Sequence, residues 1–286
     1  MKHFKQNRSA SFFAIALVYI IAVGAGILVY NLLVLPWWLS LLIADIASTA
    51  VIFLFSVIFD NASVYDPYWS VQPIVILAAL AIGKALTPMR IMLLFAVCFW
   101  GIRLTLNWAY TFTDLSHQDW RYTMLREKTG AFYPIINFVG IHMVPTLVVW
   151  GCVLPAAYAF IFDVAPTRAS ALFILLSVFA AIMQGVADVQ MHKFRKNRSS
   201  TFIRNGLWKY SRHPNYLGEI LMWWGIALSV LCANPGTLIL CLGAVANTML
   251  FLFVSIPLAD GRQPAKPEFD KYKSETRMLL PIRKFR

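Results

Sequence analysis

Runs of apolar residues long enough to cross a hydrocarbon core, about 20 helical residues each, recur from one end of this chain to the other. Inside a bilayer the backbone must satisfy its own hydrogen bonds, and single runs of this length do so as helices. The runs are Phe12 to Leu33, Trp37 to Phe59, Trp69 to Ala85, Met89 to Trp108, Ile135 to Phe160, Ser170 to Ala187, Tyr216 to Leu231 and Thr237 to Leu258. They predict an all-α, polytopic membrane bundle of about eight spans. The third run is the weak one: its uninterrupted core, Ile74 to Gly83, is shorter than the roughly 17 residues at the low end for a span, and Lys84 closes it. Seven spans plus a re-entrant segment is the alternative. With 59% hydrophobic and 13% charged residues, no stretch remains for a separate soluble domain, so residues 1–286 are read as one membrane domain. The first run is too long for a signal peptide and no clear cleavage site follows it, so it is expected to stay as a helix.

Lys and Arg placement sets orientation, because cytoplasmic loops hold an excess of both. With eight spans, the tail bearing Lys2, Lys5 and Arg8 shares a side with Asp114 to Gly130, with the basic stretch Asp188 to Arg212, and with the residues after Leu258. Both termini are therefore expected in the cytoplasm. The net charge of +12 gathers on that surface, where it fits topology and attraction to anionic membrane lipids. No soluble basic module is present to hold a nucleic acid. Cys98, Cys152, Cys232 and Cys241 show no metal-ligand spacing, and His117 between Asp114 and Asp119 has none either, so no metal site is expected.

Ionisable groups within spans are costly and face a protein interior or a wet cavity. Four stand out: Asp45, Arg103, Asp188 and Glu219. The last three lie toward one membrane face, which suits a cofactor cavity open to the cytoplasm; Asp45 has no assigned role. Asn107 falls one helical turn after Arg103 and Trp100 precedes it on the same face, a pattern that a snorkelling Arg with an interfacial aromatic also produces. In "DLSHQDWRYTMLREKTG" an amphipathic helix on the membrane surface accounts for most residues, with Arg121 and Tyr122 able to reach inward.

The densest polar segment is "GLWKYSRHPNYLGE", Gly206 to Glu219. Pro214 suits the first position of a helix, so an amino-terminal helix end, a natural phosphate seat, meets Lys209, Arg212 and His213. Asn215 and Glu219 share one face of that helix, and Tyr216 lies on another. Trp208 and Tyr210 lie in the first half of the same segment. Upstream, Gln184, Asp188, His192 and Arg195 recur at helical spacing along one face, as a solvated basic helix exit can also do. Soluble nucleotide motifs such as G-x-G-x-x-G are absent, so a cofactor would be held by membrane helices and their ends.

These residues resemble the signature of the uncharacterised bacterial branch of the steroid 5-alpha-reductase superfamily. The likeness extends to "YDPYWS" from Tyr65, "WGIRLTLNW" from Trp100, "DWRYTMLRE" from Asp119 and "FDKYKSETRMLLP" ending at Pro281, so it covers about residues 61–281. It implies a membrane reductase of bacterial inner membranes that uses NADPH to saturate an enone double bond in a lipophilic substrate drawn from the bilayer. It also implies that Asn215 and Glu219 contact the nicotinamide cofactor, with Asp188 and Arg195 a charged pair further along; Gln184 stands where the steroid enzymes tend to have Asn. Isoprenylcysteine carboxyl methyltransferases, which use S-adenosylmethionine, share R-H-P-x-Y-x-G. The Glu after that motif and the absence of paired glutamates in "SIPLADGR" favour the reductase. A lipid-binding or transport protein without chemistry is the third class.

An enone reductase needs a donor at the carbonyl oxygen, and a tyrosine oriented by a carboxylate serves. Tyr68 and Asp66 of "VYDPYWS" are the expected pair.

Overall fold

A computed structural model describes residues 2–197, 201–263 and 266–280. Pro281, the end of the last matching motif, lies outside the described residues. Among the described residues the chain is helical, with no named strand and one isolated parallel bridge between Ser211 and Arg277. Seven helical stretches are long and apolar enough to cross a membrane, and the protein is a polytopic helical membrane protein.

The helices are α1 Lys2–Lys5, α2 Arg8–Leu32, α3 Trp37–Ile58, α4 Tyr68–Ala81, α5 Pro88–Thr111, α6 Trp120–Thr129, α7 Tyr133–Ile136 and α8 Val144–Phe162. They continue with α9 Arg168–Asn197, α10 Pro214–Ala233, α11 Leu242–Leu250, α12 Ile256–Gly261 and α13 Phe269–Glu275. Their ends follow local chemistry. Asn7 caps α2 by accepting from the Ala10 amide at 3.0 Å, and Asp119 caps α6 through the Arg121 amide at 2.9 Å. Pro214 opens α10 behind His213, as its fixed φ and missing N–H favour.

The third apolar run folds as α4, 14 residues long. At 1.5 Å per residue it reaches about 21 Å, short of a hydrocarbon core of about 30 Å. Gly83, at φ +71°, ends the run, and Lys84 donates to the Phe160 carbonyl at 2.9 Å. The other seven runs match the seven long helical stretches. The expected surface helix, α6, is not separate from the following span: Trp120–Phe162 is one helical stretch with a π-helical segment at Asn137–Met143.

The chain divides into two compact units, Met1–Ala79 with Leu104–Leu154, and Leu80–Arg103 with Pro155–Arg286. In the first, α2 and α3 pack side by side, and the Ser48 hydroxyl donates to the Ala22 carbonyl at 2.8 Å. Its core gathers Ile15, Val18 and Ile52 around Tyr65 and Tyr68. In the second, α9 and α10 are antiparallel neighbours in very close contact. A β-carbon on Gly218 would lie 2.8 Å from the Ala180 carbonyl oxygen, and one on Gly225 would lie 2.1 Å from Ser177 Oγ and 2.6 Å from the Phe173 carbonyl oxygen. Small residues that let backbones approach are how helices associate without a hydrophobic driving force.

Gly225→Ala is expected to lower the thermal stability of the detergent-solubilised protein, at a cost of about 1–3 kcal/mol for overpacking. Gly24→Ala, where an added β-carbon meets nothing within 4 Å, is expected to be neutral. Equal melting of the two variants would contradict this account of the α9–α10 contact.

Candidate functional site

In the second unit, one buried carboxylate collects donors from three helices. Glu219 sits in the second turn of α10 and is 5% exposed. Its Oε2 accepts from the Trp100 indole of α5 at 2.8 Å and from the Gln184 amide of α9 at 2.8 Å. Its Oε1 accepts from the Trp223 indole, one turn along α10, at 2.9 Å. The two indoles meet edge to face with centroids 4.9 Å apart. The network continues outward, where the Arg103 guanidinium donates to Gln184 Oε1 and, at 2.8 Å, to Asp188 Oδ2. Arg103 and Asp188 are each 16% exposed in their side chains. Neither charge stands alone in the low-dielectric interior, where an unpaired one would be expensive.

The helical face read on α9 is graded. Gln184 is buried, Asp188 and His192 are half-buried and Arg195 is exposed. The ion pair of Asp188 is with Arg103, a residue 85 positions earlier. Asn215 and Tyr216 are half-buried at the start of α10, and Tyr210 and Lys209 are exposed. The Lys209 ammonium lies 5.8 Å from the Tyr210 ring centroid.

Arg212 and His213 are buried and already engaged. Asp260 of α12 accepts from Arg212 Nη2 at 3.0 Å, and its other oxygen lies 2.9 Å from His213 Nε2. Arg212 also donates to the Thr276 carbonyl at 2.8 Å, and its backbone amide donates to the Arg277 carbonyl at 2.9 Å. The His213 ring stacks on Tyr216 at 5.1 Å. Trp208 is buried, donates to the Ala187 carbonyl at 3.0 Å and accepts at its own carbonyl from the Tyr272 hydroxyl at 3.1 Å. Two of the three cations expected at a phosphate seat, Arg212 and His213, thus anchor the amino end of α10 to Asp260, and Arg212 ties it to the carboxy-terminal segment. Asp260 carried no sequence signal beyond its charge.

In the first unit, Tyr68 does not use Asp66. Its hydroxyl donates to Asp45 Oδ1 at 2.8 Å, and both residues are 2% exposed. Thr49, one turn along α3, interacts with the same hydroxyl, as Gln72 does with Asp45. Thr49 Oγ1 lies 3.0 Å from Thr146 Oγ1, which lies 2.8 Å from the Tyr65 hydroxyl. Asp66 instead accepts from the buried Tyr122 hydroxyl at 2.5 Å. Arg121, exposed, pairs with Asp119 at 2.8 Å and lies over the Tyr122 ring. Asn107 is half-buried in the same unit. Sequence reasoning placed Tyr68 beside the nearest acid in the chain; the partner comes from a helix 23 positions earlier. The exposed His117 pairs with Asp114 at 3.0 Å, and the four cysteines are free thiols.

These clusters, each built from residues distant in sequence and buried among apolar helices, define a helical membrane protein with internal polar sites. Residues 52–276 match the family model described as a protein of unknown function, DUF1295, and the chain belongs to that family. No functionally curated protein and no solved structure matches it.

Asp66 lies in the turn between α3 and α4, where loss of hydration pushes its carboxyl up to about 6. A carboxyl raised in the folded state adds stability that is full below its unfolded value near 4 and is lost as pH rises through about 6. The melting temperature of Asp66→Asn relative to the unsubstituted protein is therefore expected to climb between pH 4 and pH 7 and then level off. A difference that stays flat over that range would contradict it.

Proposed function

We propose that this protein is a membrane-embedded, NADPH-dependent oxidoreductase that saturates a carbon–carbon double bond conjugated to a carbonyl in a lipophilic substrate. The observation that carries the reading is the buried Tyr68–Asp45 hydrogen bond. A phenol held on a carboxylate inside an apolar bundle is placed to donate to a carbonyl oxygen where water is excluded. The sequence resemblance to the steroid 5-alpha-reductase superfamily points the same way.

The residues of the second unit suit a nicotinamide carboxamide. Gln184 already presents a carboxamide there, its nitrogen donating to Glu219 and its oxygen accepting from Arg103. Glu219, Gln184, Arg103 and Asn215 are the residues we assign to the nicotinamide end. Because Arg212 and His213 are held by Asp260, we assign the phosphates to two of the exposed cations nearby in sequence, Arg195 and Lys209. When bound, a reduced nicotinamide supplies the hydride that adds to the β carbon of the enone.

On substrate binding the single Tyr68 O–H would turn from Asp45 Oδ1 to the carbonyl oxygen as negative charge develops there, and a proton from water at the α carbon would complete the saturation. Asp66, bonded to Tyr122, takes no part in this donor pair. Trp100 and Trp223 hold the Glu219 carboxylate in one orientation. Apolar residues such as Ile15, Val18 and Ile52 surround Tyr68 and keep bulk water from it. We place both termini on the cytoplasmic side of the bacterial inner membrane on the strength of the basic segments, which requires α4 to complete an eighth crossing.

Saturating NADPH, at about 100 times its Kd, is expected to stabilise the purified protein by about 2.7 kcal/mol, and S-adenosylmethionine to leave it unchanged. Glu219→Gln is expected to weaken NADPH binding by about tenfold, as loss of a charge-assisted hydrogen bond does. Tyr68→Phe is expected to retain that binding and to lower the rate of NADPH absorbance loss with an accepted enone by about a hundredfold. Stabilisation by S-adenosylmethionine alone would assign methyl transfer instead, and NADPH binding without turnover on a broad enone panel would assign a non-catalytic protein.

A further inference from the structure

The outward face of α9 grades from apolar to cationic along a single stripe. Ile182, Val186 and Val189 recur at helical spacing and are exposed, and the exposed Lys193 follows one turn later. Together with Phe99 of α5 they wall a furrow of about 480 Å³ in the second unit. Its floor depends on a missing side chain: a β-carbon on Gly185 would lie 3.3 Å from Arg103 Cδ. The furrow therefore opens onto the aliphatic stem of Arg103, whose guanidinium is turned away to Asp188 and Gln184.

A channel with these walls, on a helix that spans a membrane, takes an acyl chain. The charge at its end selects the head group. From Val189 to Arg212 the chain contains no Asp or Glu, while Lys193, Arg195, Lys196, Arg204 and Lys209 are among its cations. The 30 residues of α9 extend about 45 Å, about 15 Å more than a hydrocarbon core. Its apolar stripe ends at Val189, so Lys193 falls at head-group depth, where a lysine finds phosphate.

We propose that this furrow is a binding site for one anionic phospholipid, with an acyl chain along Val186, Val189 and Phe99 and its phosphate at Lys193. Seated there, the lipid presses on the stem of Arg103 and steadies the guanidinium that holds Asp188 and Gln184. The lipid site shares Arg103 with the proposed nicotinamide end, but its lipid preference does not rest on the reductase reading.

The full-length protein, stripped in detergent and incubated with equal amounts of phosphatidylglycerol and phosphatidylcholine, can be read by native mass spectrometry. It is expected to retain one phosphatidylglycerol in clear preference to phosphatidylcholine. Lys193→Gln is expected to lower that retention about fivefold, the worth of one basic residue at an anionic surface. Arg195→Gln, an equal charge change about 200° around α9, is expected to leave retention within about twofold. Val189→Trp, which fills the furrow from its lipid side without touching the packed face, is expected to reduce retention while monodispersity and melting temperature are kept. Equal retention of the two lipids, or equal losses from Lys193→Gln and Arg195→Gln, would overturn the proposal in favour of diffuse surface attraction.

Discussion

A carboxylate buried among membrane helices has no water to solvate it, so its donors must come from the protein. Glu219 meets that requirement with two indoles and an amide from α5, α9 and α10. The three helices are thereby fixed in register at one level. The glycine contacts of α10 bring its backbone close enough to α9 for Gln184 to reach. Arg103 and Asp188 then close the network toward the polar end of the cluster. Tight packing and polar pairing are one arrangement here, since a β-carbon on Gly218 would strike the side chain of Gln184, the residue that donates to Glu219.

The first unit obeys the same rule with different groups. Asp45 is met by the Tyr68 hydroxyl, and a short series of hydroxyls follows through Thr49, Thr146 and Tyr65. Asp45 and Thr49 sit on the stripe of α3 that also carries Ser48 and Ser56, all buried. Small hydroxyl side chains on one face let the helix pack closely and supply polar contacts at low desolvation cost. The result is a buried acid–phenol pair that packing alone does not call for, and the functional reading rests on it.

Much of the architecture was legible from hydropathy because membrane spans are selected on length and apolarity, which a sequence displays directly. The short α4 was visible as a run closed by Lys84, and Pro214 marked the start of α10. The helical face of Gln184, Asp188, His192 and Arg195 was legible because its spacing is local. The pairings were not. Asp45 to Tyr68, Arg103 to Asp188, Trp100 to Glu219, and Asp260 to Arg212 and His213 each join separate elements, and no periodicity in one helix encodes its partner on another. Choosing Asp66 as the partner of Tyr68 followed proximity in the chain, whereas the turn at Asn61 to Pro67 directs Asp66 to Tyr122 instead.

The Glu219 carboxylate binds its neighbouring helices through specific donors. A double-mutant cycle of Trp100→Phe with Glu219→Gln, read by equilibrium unfolding in bicelles, measures that link directly. A coupling of about 1–3 kcal/mol is the expected result. Additive effects of the two substitutions would contradict the account.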